Sequence, residues 1–378
     1  MTLRITALSM VVLGIVAATA HAQTVTGTSV FATGTAVGGT QPDSVTDGNG
    51  SVWVEYGNGA VSTGGSGDST IVQYSGGGAV QHVYTIAGLV DGLKVNPVTG
   101  ILWALQNNDG NAMLSLINPA THAVSAPLKY ASPPYIYGAS SARGYDDVAF
   151  LGGKVYLSYT NPVNPNDSVL QILNQGNNPS GTLTTTSILT AQQTNPLFSS
   201  SSQNPPDIDS LKSTPGGQLV LTSEGDGIGP QWATSDGRYT LISNPGSAAQ
   251  SVSNVRVSNA AGVNVNGMDD VIFPNASAGT LYVSDTKTDT VYAVHLTGLS
   301  PDTPIIALGS FDEVALVNPV TGVVGMPLLS GLGSVHGMDF VAAPEPSTGA
   351  LVLLGLGGLA GAAWRRRSAA MLPPAAAA

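Results

Sequence analysis

Apolar residues along this chain fall in short runs rather than in long helical stripes. Between Gln23 and Ala343 no window of about 11–18 residues sustains a 3.6-residue apolar period. Alternating or fully apolar segments of strand length are instead bounded by Gly, Pro, Asn and Asp, which predicts a nearly all-β body. The segments also repeat. Asp43–Tyr56 (DSVTDGNGSVWVEY), Asp91–Gln106, Asp147–Tyr159, Asp209–Ser223 and Asp270–Asp285 share one plan. Each has an aspartate, a short strand, a Gly/Asn/Pro turn and a second strand centred on Trp53, Trp103, Tyr156, Val220 or Tyr282. A sixth start, GMDF, lies at Gly337–Phe340, and Leu114–Leu128 and Val314–Leu328 form a further pair of near copies.

Starts 48 to 69 residues apart leave room for four strands and inserted loops in each unit. Radial repetition of such meanders protects strand edges and predicts a β-propeller. Six blades are favoured. Five or seven remain alternatives because Pro304–Leu329 does not parse into the plan, and a solenoid or β-sandwich is the lesser alternative. The lone early strand Thr28–Thr33 and the lone late strand Gly337–Val341 are expected to complete one composite blade.

The two ends differ from the body. Arg4, the apolar stretch Ala7–Ala18 and the small residues Ala20 and Ala22 form a secretory leader over residues 1–22, with cleavage by signal peptidase expected before Gln23. Near the other end, 16 apolar residues (349–364) precede Arg365, Arg366 and Arg367. At 1.5 Å per residue they reach about 24 Å, enough for a short transmembrane helix with snorkelling flanks. The arginines act as a membrane stop and keep their end cytoplasmic, along with the extension 368–378.

With no cysteine, disulfides and thiolate chemistry are excluded. Removing the leader and tail takes away four arginines and Glu345, leaving 8 basic against 22 acidic residues and a charge of about −14. That charge disfavours nucleic acid, whose phosphates need clustered Lys and Arg.

No HExxH, GxSxG or P-loop motif occurs. The chemistry-bearing feature is carboxylate clustering at the starts of innermost strands. Asp146, Asp147, Asp207, Asp209, Asp269, Asp270 and Asp339, with Asp43 and Asp91 nearby, ring one mouth of the predicted channel. Gathered oxygens suit Ca²⁺ as a candidate ion, or a general base. The competing reading is structural, since Asp at a strand start accepts backbone N–H bonds. His336 is a candidate channel residue or a plain loop residue, and Asp47-x-Asn49-x-Ser51 is a hairpin turn.

The repeats resemble the NHL/YVTN class of propeller repeats through Pro42-Asp43, Gly279–Val283 and Asn318–Gly322. Gluconolactonase-type propellers would place Glu, Asn and Asp on a metal, and Glu55, Glu224 and Glu313 do not match that pattern evidently. The tail is similar to the PEP-CTERM sorting signal of Gram-negative bacteria. Pro344, Glu345, Pro346 and Ser347 carry the signature, and the apolar run and arginines follow in order. This resemblance implies transient inner-membrane insertion, processing by exosortase, and delivery to the cell surface or exopolysaccharide matrix. The reading leans to a non-enzymatic binding or structural module in biofilm or envelope. The alternative is a secreted, divalent-metal-dependent hydrolase or lyase acting on a lactone or polysaccharide.

Overall fold

A computed structural model describes residues 23–131, 144–196, 198, 206–226 and 237–344. The leader, the apolar run 349–364 and the arginines that follow lie outside the described residues. Within them, no helix is long and apolar enough to cross a membrane.

The strands build six sheets. The chain enters through β1 (Thr24–Thr33). Blade one comprises β2 (Pro42–Gly48), β3 (Ser51–Tyr56), β4 (Asp68–Ser75) and β5 (Val80–Ala87). Blade two comprises β6 (Val90–Val95), β7 (Leu102–Gln106), β8 (Met113–Asn118) and the short outer pieces β9 (Ala123–Val124) and β10 (Leu128–Lys129). Blade three runs through β11 (Tyr145–Leu151), β12 (Lys154–Tyr159), β13 (Ser168–Leu173) and β14 (Thr185–Thr190). Blade four runs through β15 (Pro206–Ser213), β16 (Leu219–Asp226), β17 (Arg238–Ser243) and β18 (Ser251–Arg256).

The last two blades are interleaved. β19 (Met268–Ile272) opens blade five, but the next hairpin, β20 (Ala278–Asp285) and β21 (Thr290–Thr297), crosses into blade six. The chain then returns to complete blade five with β22 (Ile305–Leu308), β23 (Glu313–Val317) and β24 (Val324–Ser330). It ends in β25 (Val335–Ala342), the innermost strand of blade six. β1 is the outermost strand of that same sheet, so the expected composite blade is present, with an inserted hairpin between its two terminal strands.

The interleaving corrects the reading of Asp270–Asp285 as one hairpin. Val271 pairs with Ile306, whereas Tyr282 pairs with Asp339. It also explains Pro304–Leu329, which supplies the three outer strands of blade five. The repeat pattern marks a first strand followed by a second, and cannot show that they sit in different sheets.

Six apolar clusters fill the six interfaces between neighbouring blades and close the ring. The large central residues face them: Trp53 and Trp103 are fully buried, on β3 and β7. Burying such a ring system removes on the order of 200 Å² from water, roughly 5 kcal/mol before entropy losses.

Every innermost strand carries a register shift near its start, at Pro42/Val45, Val90/Leu93, Tyr145/Val148, Ile208/Leu211, Met268/Val271 and opposite Val283/Asp285. Such bulges re-aim side chains out of the sheet plane. They also bring neighbouring innermost strands very close. A Cβ on Gly92 would lie 2.2 Å from the Asp146 carbonyl oxygen of the next blade. Gly92→Ala is therefore expected to destabilise the ring by about 1–3 kcal/mol, as overpacking does. Urea unfolding with an unchanged midpoint would refute this.

Candidate functional site

The first residue of each bulge aligns across the ring as Asp43, Asp91, Asp146, Asp209, Asp269 and His336, one per blade. An aliphatic residue follows two positions later in every case (Val45, Leu93, Val148, Leu211, Val271, Met338), and each is buried in an interface. The sheet pleat thus locks the aliphatic residue inward and leaves the bulge residue facing the channel. The outcome is a ring of five carboxyls and one imidazole.

The six surround a cavity of about 360 Å³ that Asp109, Asp207, Glu224, Asn108 and Asn161 line further out. Among the described residues, His336 is the single cationic side chain in this lining. Its Nδ1 lies 2.8 Å from Asp269 Oδ1 and 3.3 Å from Asp43 Oδ1, and its Nε2 lies 3.1 Å from Ser334 Oγ. Burial alone would lower its pKa, but the Asp269 and Asp43 carboxylates push it up to about 12. In return, although burial acts upward on Asp43, the hydrogen bond and charge of His336 hold its pKa below the ordinary carboxylate value.

Among the described residues, Asp91, Asp146 and Asp209 have no such counter-charge beside them. Burial, then mutual repulsion, raises Asp91 and Asp209 well above the ordinary carboxylate range. Asp146 is raised likewise by burial, against the pull of its hydrogen bond from Asn108. Glu224 is pushed to about 8 by burial and by Asp269 and Asp207, and Asp207 to about 6 by burial and Asp109.

Two groups of donors converge within 4.8 Å: Asp43, Asp269 and His336, and Asp209, Glu224 and Asp269. The first is already filled by the imidazolium. The second shares Asp269 with it and adds Asp209 and Glu224, two carboxyls with no ion-pair partner of their own among the described residues. Nearby, Asp146 is 4% exposed; its Oδ1 accepts a 2.9 Å bond from Asn108 Nδ2, while Oδ2 has no hydrogen-bond partner. A buried carboxylate oxygen without a partner is costly unless protonated or coordinated. The donor set is hard oxygen, the kind that Ca²⁺ and Mg²⁺ select.

Below the mouth the channel narrows to about 30 Å³, room for about one water. Lys212 crosses it, with Nζ 3.0 Å from Asp270 Oδ2 and 3.3 Å from the Met338 carbonyl. Beyond, the channel widens to about 280 Å³ beside Asp47, Lys94 and Asp339.

The seven aspartates singled out in the sequence separate into two sets. Asp146, Asp207, Asp209 and Asp269 line the mouth. Asp147, Asp270 and Asp339 instead tie blades together. Asp147 Oδ2 accepts from Leu211 N at 3.0 Å and Asp270 Oδ2 from Met338 N at 2.7 Å, while Asp339 Oδ2 accepts from Asp47 N. Asp147 and Asp270 also cap their own bulges by accepting from the following backbone N–H, and Asp339 accepts likewise from Phe340 N.

In the Asp-Asp pairs it is therefore the first aspartate, not the second, that belongs to the ring. The aliphatic residue two positions on is the signal that marks it. Glu224 reaches the site from β16, where only the fold brings it, and His336, the candidate channel residue, reaches it from β25. Asn49 (φ 54°) and Gly50 (φ 75°) form the tight β2–β3 turn expected of the Asp47–Ser51 stretch.

The chain carries the PEP-CTERM protein-sorting motif at residues 342–367, which implies exosortase-dependent export. Its body is a six-bladed β-propeller. Among solved structures, it is similar to Kuenenia stuttgartiensis hydrazine synthase at 10% identity and TM-score 0.41, over 73% of this chain. The chain spans only 64% of that protein. It is also similar to a periplasmic gluconolactonase of Pseudomonas aeruginosa (13% identity, TM-score 0.40, 80% of this chain and 89% of that one). A third is the Penicillium chrysogenum α-L-arabinanase (13%, TM-score 0.44, 79% and 83%). No curated protein matches the chain.

Proposed function

We propose that this is an exosortase-processed surface or matrix protein whose propeller binds a divalent cation, Ca²⁺ in the first instance, at its acidic mouth. The leader (1–22) exports it, the run 349–364 holds it in the inner membrane, and processing near Pro344–Ser347 releases it to the surface or exopolysaccharide matrix. There the bound cation bridges the mouth to a hydroxyl- or carboxylate-rich ligand, for which exopolysaccharide has the right chemistry. The observation that carries this reading is the Asp209–Glu224–Asp269 convergence beside the unpartnered Asp146 Oδ2.

Calorimetry of residues 23–343 with CaCl₂ tests it. Binding is expected, with stability rising by about 2.7 kcal/mol at a hundredfold excess over Kd, and D209N/D269N should abolish both. No heat and no Tm shift would overturn the cation reading.

A hydrolase or lyase is the second reading. It is favoured by Glu224 near 8 beside Asp207 near 6, a protonated and an ionised carboxyl at neutral pH. Turnover of a lactone or polysaccharide that is lost in E224Q would select it; ligand binding without turnover selects the first.

A further inference from the structure

The register of blade six places both ends of the propeller together. Thr24 of β1 pairs with Thr297, Thr297 pairs with Ala278, and Ala343 N donates to the Ala278 carbonyl at 2.9 Å. Three strand spacings separate the two ends, about 14 Å. His336 at the start of β25 belongs to the acidic mouth, so Ala342 at its far end emerges on the opposite face.

That face differs from the mouth in charge. Among the described residues it carries Asp47, Lys94 and Asp339 around the channel exit, Lys154 beside the β11–β12 turn and Asp302 in the β21–β22 connection, a near balance of charge where the mouth gathers carboxyls. Neutral amides join its neighbouring turns: Asn49 Nδ2 donates to the Gly100 carbonyl at 2.8 Å and Asn177 Nδ2 to the Gly153 carbonyl at 3.0 Å. Two Asn-Pro-Val-Thr-Gly turns, in blades two and five, point Val98 (68% exposed) and Val320 (87% exposed) outward.

Six residues separate Ala342 from the apolar run beginning at Gly349. Fully extended, they reach about 20 Å. They leave from the innermost strand, beside the channel, so no side of the ring is closer to the exit than this face.

We infer that this charge-balanced face of the ring lies against the bilayer while the tail is inserted, with the acidic mouth directed away from it. The partner is a lipid surface, and the inference rests on the anchoring step proposed above. Charge supports it: anionic headgroups repel carboxylates, and this arrangement holds the acidic ring about 20 Å from them, the six-residue rise from His336 to Ala342. The leader would enter the same membrane from the same face, so the propeller can close with both ends still embedded.

Because the chain lacks cysteine, single-cysteine labelling tests the orientation directly. V98C, V320C and T288C are made in the full chain, with Thr288 on the exposed β20–β21 loop at the mouth end. Each carries a fluorophore and is reconstituted into phosphatidylethanolamine/phosphatidylglycerol vesicles bearing a headgroup quencher. Emission is expected to be lost at positions 98 and 320 and kept at 288. Co-flotation with the vesicles but equal quenching at all three positions, or quenching at 288 alone, overturns the inference. Failure to co-float removes the anchoring step and the inference with it.

Discussion

Replacing Asp270 by alanine is expected to cost about 3–5 kcal/mol of folding stability, the usual penalty for stripping one partner from a buried ion pair. Asp270 is 1% exposed and does four things at once. It pairs with Lys212, accepts from Met338 N in the next blade, caps its own bulge at Val271 N, and accepts from Ser210 Oγ. Alanine leaves the Lys212 ammonium in the channel with its nearest counter-charge gone, although the charges of Asp147 and Asp339 also act on it. Urea unfolding would measure the loss. The double variant D270A/K212M should recover much of it, because no charge is then stranded. Equal destabilisation in the single and double variants would show that the blade-tying bonds dominate and the pair contributes little.

The second large effect is on pH. Stability of the cation-free propeller is expected to fall by a few kcal/mol as pH rises from about 5 to 9. Glu224 and Asp207 have folded pKa values raised to about 8 and about 6, and Asp91, Asp146 and Asp209 are also raised well above the ordinary carboxylate value. Raised carboxyls keep protons that the unfolded chain has already lost, so unfolding releases protons and stability declines with pH. His336, raised to about 12, acts in the same direction above its unfolded value. Asp43 and Asp339, both lowered, lose their contribution only in acid below this range. Saturating Ca²⁺ should flatten the decline, since a bound cation replaces the retained protons. Thermal melts across this range, with and without CaCl₂, would check both parts; stability rising with pH in the cation-free protein would contradict the reading of the mouth.

Much of this was legible in the chain. The Asp-strand-turn-strand repeat exposed the propeller because an aliphatic residue must fill each interface and a large residue must back it. The composite closing blade was legible because two lone strands needed a partner sheet. The crossing of β20–β21 was not, since pairing between sheets leaves no local mark on Asp270–Asp285. The carboxylate ring was half legible: clustering marked the mouth, but the one-residue offset between Asp146 and Asp147 depends on the bulge. Glu224 needed the closed ring itself, whereas His336 was already a candidate channel residue and the ring supplied its carboxylate partners.

The closing blade also determines how the molecule would carry load. β25, from which the tail departs, is hydrogen-bonded along one edge to β20, from Asp285↔Val335 to Gly279↔Ala342. Ladder bonds stand perpendicular to the strands, so a pull along the tail loads them together in shear and does not peel them one by one. β20 continues covalently into blade five on both sides, through β19 and through β21 to β22. Drag on a tethered propeller would therefore reach two blades at once, with the crossed hairpin serving as a clasp at the seam of the ring.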